Sequence, residues 1–547
     1  MEAPGGEVAP LTPVPATTDR RRFLRQAAGL VGAAASTAVL GTLPACAEHP
    51  PAPRETTTSR PPPSLPPTSV LDDSAWAALA TMLDGTLVLP SAPAYGAAKL
   101  VYNQRFAGAD PAAVAYCASP ADVQRCIDFA RTHGITPTPR SGGHSYAGYS
   151  TGTGLVVDVS PLHSVMTDTS SLRAVVGSGT QLIDLYRQLS NAGVLLPGGS
   201  CPTVGIAGLT LGGGIGVVGR KYGLTCDNLV AVDLVTADGR LRRCTADENA
   251  DLFWASRGGG GGNFGIATSF TFAVHRLPSL SLFTINWPWA AAASVLGAWQ
   301  QWTATAPDEL WSNCQLAASG PDGPGVRSNG VFVGSPGDLT AVLQPFLAQA
   351  GRPDDQFVGP EQYLHAMLVE AGCEDLSVAQ CHLTGQNPTA TLPRSSFAAT
   401  SAFVADPLSD AGIAAVTGSV VRLADADPEL GGGLVFDAYG GVINEVAPDA
   451  TAFVHRRELC AVPASTSWSP AASPSTVQAA EAWLAQTAAA LAPFVGPGAY
   501  QNYIDPTLAD WALAYYGSNL PRLVEVKRRY DPDDVLHFAQ SIPTARD

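Results

Sequence analysis

Charged side chains are scarce in this chain of 547 residues, where Asp, Glu, Lys and Arg make up only 14%, and the balance is acidic, with a net charge of −16. A nucleic-acid backbone is excluded as a partner, because a phosphate binder needs a basic surface and no basic stripe compensates locally. The apolar stretch from Ala27 to Leu43 is too short and too weakly apolar to span a bilayer on its own. No internal period marks a repeat or solenoid. Zinc spacing is missing as well: Cys381 and His382 are adjacent, but no second close pair accompanies them, and no metal is expected. What remains is a globular composition, 46% hydrophobic, in a chain too long for one ordinary domain and long enough for two with buried cores.

Residues 1–47 read as a targeting segment. Arg20, Arg21 and Arg22, with Phe23, Leu24 and Arg25, precede the alanine- and glycine-rich stretch in the pattern of a twin-arginine export signal, with Asp19 where Ser or Thr is more usual. Two processing routes stay open. Leu43, Pro44, Ala45 and Cys46 resemble a bacterial lipobox, interrupted by its proline, that would place a lipid anchor on Cys46; Ala45 and Ala47 equally fit small-x-small cleavage and release. Residues 48–75, dense in Pro and Thr, read as an extended linker. The expected destination, through the export machinery, is outside the cell, free or as a cell-surface lipoprotein. Ten cysteines suit such a protein. Cys373 and Cys381, close together in a polar stretch, are the best disulfide candidate.

Over residues 76–280, short apolar runs alternate with glycine turns and helical patterns. Ala113–Tyr116 and Leu155–Val159 read as strands. Pro120–Arg131 carries Val123, Ile127 and Ala130 at helical spacing and stops at Gly134, and Gln181–Ala192 repeats the pattern with Leu182, Leu185, Tyr186 and Leu189. The mixture reads as an α+β nucleotide-binding domain. From 281 to 498 the composition shifts to alanine-rich helical patterns and to tryptophans (Trp287, Trp289, Trp299, Trp302 and Trp311), a second, substrate-covering domain compatible with sugar or aromatic rings. Residues 499–547 return to dense aromatic and Asn/Asp motifs, among them Tyr500, Asn502 and Tyr503.

Two segments suggest chemistry. Arg140, Ser141, Gly142, Gly143, His144 and Ser145 form a loop whose backbone N–H groups and hydroxyls suit a pyrophosphate, with a plain turn as the alternative. Gly199 to Gly205 then place Cys201 on a tight turn, and Gly208, Gly212, Gly213, Gly214 and Gly216 follow as a glycine ladder. The ladder mimics a dinucleotide fingerprint, with Asp233 downstream as its acidic residue. Val217, however, stands where the third glycine or alanine belongs, so no nicotinamide site is expected.

His144 and Cys201, each in its motif, resemble the two attachment points of the bicovalently bound flavin in the berberine-bridge-enzyme-like family of FAD-linked oxidases, which share the vanillyl-alcohol-oxidase, or PCMH-type, fold. The resemblance covers nearly all of the chain after the linker. It implies a two-domain α+β fold: a discontinuous FAD-binding domain completed by the C-terminal segment, and a substrate domain with an antiparallel sheet covered by helices. It further implies FAD attached to His144 at the 8α methyl carbon and to Cys201 at C6, with the Arg140–Ser145 loop at the pyrophosphate. The ladder with Gly205 and Gly208 wraps the flavin, Gly262, Asn263, Gly265 and Ile266 lie near the adenine and phosphate end, and Tyr500 and Asn502 close the site. Val204 matches the residue that gates oxygen access, where a valine goes with oxidases and a leucine with dehydrogenases.

Oxidising an alcohol at a flavin removes a hydride, so the hydroxyl proton must go to a base. Tyr503 matches the tyrosine base of the family's sugar oxidases and related bacterial oxidases, Asp437 the carboxylate paired with it, and Glu445 the glutamate that plant alkaloid enzymes use instead. The implied function is oxidation of an alcohol-bearing small molecule, a sugar or a secondary metabolite, with molecular oxygen as acceptor and hydrogen peroxide as co-product. A dehydrogenase with another acceptor and a flavin-carrying surface protein without turnover are the alternatives. Val435 stands where the sugar oxidases carry a glutamine, which weakens an oligosaccharide reading.

Overall fold

A computed structural model describes residues 71–319 and 323–545; the expected export signal, Cys46 and most of the linker lie outside them. Local signals start and stop the helices. Ser119 caps helix Pro120–His133 by accepting the Asp122 N–H, proline occupies the first turn, and Gly134 ends it in the left-handed region at φ 63°. Its inward face, Val123, Cys126, Ile127 and Ala130, packs on residues of strands Ala113–Tyr116 and Leu155–Asp158. Helix Asp73–Met82, capped by Asp72, begins inside the last residues assigned to the linker, because Trp76 and Leu79 join the same core.

The first domain carries its loops on two sheets. A four-stranded sheet runs in the order Thr86–Val88, Ala113–Tyr116, Leu155–Asp158, Pro137–Arg140, with the last three strands parallel. An antiparallel five-stranded sheet runs Val165–Asp168, Arg173–Gly177, Ile266–Ala273, Leu229–Val235, Leu241–Cys244. The first domain is discontinuous. Helix Leu520–Tyr530 returns to bury Leu523, Val524 and Val526 in its core, and Asn263 Oδ1 accepts the Ile542 N–H at 2.9 Å.

The second domain is a seven-stranded antiparallel sheet in the order Asp355–Glu361, Leu280–Trp287, Gly325–Val333, Leu310–Ala317, Gly431–Ala438, Cys460–Trp468, Ser396–Val404. Helices Ala292–Thr303, Pro336–Ala350, Asp410–Ala426 and Pro474–Leu491 share one apolar core with its covered face. The two-residue period of a strand sorts the side chains. Leu310, Cys314, Leu316, Leu434 and Phe436 point into that core, whereas Trp311, Asn313, Gln315, Val435 and Asp437 line a cavity between the domains. The tryptophans of this domain divide accordingly: Trp287, Trp299 and Trp302 are core residues with their indole N–H groups bonded to Gly351 O, Ser312 Oγ and Val342 O, and Trp311 alone of the group reaches the cavity. Cys373 and Cys381 stand at disulfide distance, with Cα atoms 5.9 Å apart.

Candidate active site

The cavity encloses about 450 Å³. One wall is built from two loops whose backbones touch. Gly142 and Gly205 meet with no room for a side chain: a Cβ on Gly142 would overlap Gly205 N and Thr203 O, and one on Gly205 would overlap Ser141 Oγ. Ser141 Oγ donates to Ser178 O at 2.7 Å. Leu182 and Ile183, in the first turn of helix Leu182–Asn191, donate their N–H groups to the carbonyls of Val204 and Pro202 and so fix the turn that carries Cys201.

That contact delivers His144 and Cys201 to the same cavity. His144 Nε2 lies 2.8 Å from Thr203 Oγ1 and its ring stacks on Tyr102, with centroids 4.1 Å apart. The bond occupies Nε2, so Nδ1 is the ring nitrogen available to a ligand. Burial, helped by the Arg394 charge, pulls the imidazole down to about 3, which leaves it neutral, as a nucleophilic nitrogen must be. Cys201 is the one free cysteine among the described residues that is not fully buried. Burial, and then the Asp437 charge, push its thiol up to about 11.

Unused polar groups and open backbone show what the wall can hold. Arg140 Nε binds Asp158 Oδ2 at 2.5 Å and Nη2 binds Ala98 O at 2.7 Å. Its Nη1 is buried with no partner among the described residues, as is Gln501 Oε1. A Cβ on Gly208 would meet nothing within 4 Å, and one on Gly261 nothing nearer than 3.9 Å, so the backbone there faces open space. Gly143, Ser145, Val204, Gly216, Gly262, Gly265 and Ile266 line the same wall. A cradle of bare backbone beside a spare guanidinium nitrogen fits the phosphates of FAD, and His144 with Cys201 fits its ring.

Several expected residues do other work. Gly212, Gly213 and Gly214 do not line the cavity. A Cβ on Gly212 would overlap Asn502 Oδ1, and the Gly214 N–H donates to Tyr500 Oη at 2.9 Å, so this part of the ladder seats the C-terminal segment. Asn263 is fully buried, donating to Gly259 O and accepting from Ile542. Tyr500 and Asn502 line the cavity while their polar ends serve packing, since Tyr500 Oη also accepts from Asn502 Nδ2 at 2.9 Å. Glu445 lies outside: it is exposed at the end of the short helix Val442–Glu445. Gly440 and Gly441, at φ 94° and 56°, turn the chain after Asp437, and Ile443 of that short helix is buried in an apolar cluster.

Tyr503 and Asp437 both face the cavity. Burial, then the Asp437 charge and the neighbouring Tyr146, on which Tyr503 stacks at 5.4 Å, push the Tyr503 phenol well above its ordinary range. Burial, then Glu370, push Asp437 up to about 7. The two are coupled through space, without a hydrogen bond between them.

The sheet face also carries a polar network that reading the sequence missed. Gln315 Nε2 donates to Asn313 Oδ1 and Asn329 Oδ1, both at 3.1 Å, Arg327 Nη2 donates to Gln315 Oε1 at 2.6 Å, and Asn329 Nδ2 donates to both Glu370 oxygens at 3.0 Å. Burial draws Arg327 down to about 10 and raises Glu370 to about 7. A signal for part of it existed: Asn313 and Gln315 alternate with Cys314 and Leu316, the pattern of a strand with one polar face. Nothing local marks Glu370, the last residue of the helix Tyr363–Glu370.

Comparison with known proteins bears on this arrangement. Residues 111–245 match the FAD binding domain family, and residues 499–543 match the family described as berberine and berberine like. The chain is 32% identical over 474 residues to the uncharacterized FAD-linked oxidoreductase YgaK of Bacillus subtilis, covering 85% of this chain and 98% of that one. It is 29% identical over 458 residues to a glucooligosaccharide oxidase of Sarocladium strictum, covering 79% of this chain and 87% of that one. The solved structure of Physcomitrella patens BBE-like 1 superimposes with a TM-score of 0.78 at 32% identity, over 86% of this chain and 100% of that one.

The contact between the two loops is directly testable. Gly142→Ala should destabilise the protein by at least the ~1–3 kcal/mol typical of overpacking and lower its flavin content. Thermal unfolding and the flavin-to-protein absorbance ratio read both effects. A variant with native values of each would show that the loops do not depend on this approach.

Proposed function

This chain belongs to the berberine-bridge-enzyme-like family of FAD-linked oxidoreductases, and on that footing we propose that it is an oxidase of a hydroxyl-bearing small molecule, with molecular oxygen as electron acceptor and hydrogen peroxide as co-product. FAD, attached through His144 Nδ1 and Cys201 Sγ, supplies the two-electron acceptor. The observation that carries the reading is the convergence of His144, Cys201, Asp437 and Tyr503 on one cavity from distant parts of the chain.

Tyr503 is the residue placed to take the substrate's hydroxyl proton. Its phenol is neutral in the folded protein, so it accepts a proton only while passing its own onward, and Asp437 is the carboxylate coupled to it that can receive it. Asp437 acts in this way only when ionised. With its acidity weakened to about 7, substrate oxidation should rise with pH through that region. Val204 is small and lines the cavity close to Cys201, which supports an open path for oxygen.

The amides and guanidinium of Asn313, Gln315, Arg327 and Asn329 support a substrate with several hydroxyl groups, as does the likeness to a glucooligosaccharide oxidase. Val435 offers no amide, but Gln315 stands directly across from it in strand register and supplies one to the same face. A sugar or a hydroxylated secondary metabolite satisfies this surface. Residues 1–47 are read as the signal that exports the folded enzyme, with release after Ala47 or lipid attachment at Cys46.

Tyr503→Phe should depress anaerobic flavin reduction by the ~10²–10⁴-fold typical of losing a general base, and Glu445→Gln should leave it near the native rate. A larger loss with Glu445→Gln would reverse the assignment. Val204→Leu should slow reoxidation of the reduced holoenzyme by oxygen with little effect on its reduction. Native reoxidation that is already slow in stopped flow would make the protein a dehydrogenase.

A further inference from the structure

Glu370 is a carboxylate for which the oxidation as described above has no use, yet it lines the same cavity as Asp437. The sheet explains how it gets there. Asn329 pairs in register with Asn313, and Asn313 with Asp437, so these side chains form one row across three adjacent strands. Glu370 reaches that row from helix Tyr363–Glu370, and Asn329 Nδ2 grips both of its oxygens at 3.0 Å. A grip on both oxygens fixes a carboxylate in place; packing alone would not require it.

We propose that Glu370 is a positioning residue of the proton-accepting site: held at the head of this row, its ionised carboxylate makes Asp437 a stronger acceptor for the proton relayed by Tyr503, after which the two carboxyls hold one proton between them. The proton count balances within the protein. The substrate O–H proton passes to Tyr503 Oη, the phenolic proton passes to Asp437, and the negative charge that remains lies on Glu370.

The charged and titratable neighbours are consistent with a shared proton. Arg327 and Asn329, from strand Gly325–Val333, face Glu370 and favour its ionised form, while burial opposes it. Glu370 is the charge that acts on Asp437, and Asp437 in turn acts on Tyr503, Tyr146, Cys201 and, on the neighbouring strand, Cys460. Both carboxyls are raised to about 7. Two like charges in one partly buried cavity release their protons as a coupled pair.

The inference rests on the proposed alcohol oxidation only for the source of the proton. Its test is a difference potentiometric titration of the flavin-loaded protein between about pH 5 and 9. The native protein should bind one proton more than Glu370→Gln near the acid end, and Glu370→Asp should retain that proton. In Glu370→Gln the acid limb of anaerobic flavin reduction should move to lower pH by about one unit, because Asp437 has lost its like-charged neighbour. Asp437→Asn should move the titration of Glu370 in the same direction, since coupling is reciprocal, and this arm stands if Glu370→Gln does not fold. Equal proton counts with an unmoved limb, or an Asp437→Asn protein in which Glu370 titrates as before, would overturn the proposal. If the native protein binds the extra proton but no alcohol reduces the flavin, the functional reading fails and the pair stands; if alcohols are oxidised with an unmoved limb, the pair fails and the reading stands.

Discussion

Two stretches of bare backbone meet at Gly142 and Gly205, and the candidate active site is organised around that contact. Because neither position has room for a Cβ, the loop after strand Pro137–Arg140 and the turn before helix Ile206–Leu211 approach to van der Waals distance of each other's main chain. His144 and Cys201 then stand on either side of the contact, with Thr203 holding the imidazole by Nε2. A larger residue at either glycine separates the loops. With them separated, no rearrangement of side chains alone would bring both nucleophiles to one ligand.

Burial is the common electrostatic theme inside the cavity, and it acts on every titratable group in the direction of neutrality. It pulls His144 down to about 3, lifts Cys201 to about 11, and raises Tyr503 well above its ordinary range. Burial, then the Glu370 charge, hold Asp437 near 7, and burial holds Glu370 near 7 against the opposing pull of Asn329 and Arg327. A site with so little standing charge feels strongly the charge that develops when an alcohol loses its proton, because the surroundings screen it poorly.

What could be read from the sequence follows the distance over which each feature is determined. Helix Pro120–His133 is visible because its cap, its apolar spacing and its terminating Gly134 are all local. The loop with His144 and the turn with Cys201 are visible for the same reason. Gly212 and Gly214 look like ligand glycines from their spacing, but the residues they accommodate, Asn502 and Tyr500, come from the far end of the chain. Glu445 fits a motif and still misses the cavity, because two glycines with positive φ redirect the chain after Asp437. Glu370 is invisible beforehand: it ends a helix, its partner Asn329 belongs to a strand, and only sheet register sets Asn329 in one row with Asn313 and Asp437.

The proposed function requires one flavin ring to be held simultaneously from both loops. Proteolysis of the unfolded holoprotein followed by mass spectrometry tests it most directly. A single flavin-bearing species is expected, in which the peptide containing His144 and the peptide containing Cys201 are joined through the flavin. Flavin released free on unfolding, or both peptides recovered without added mass, would contradict it.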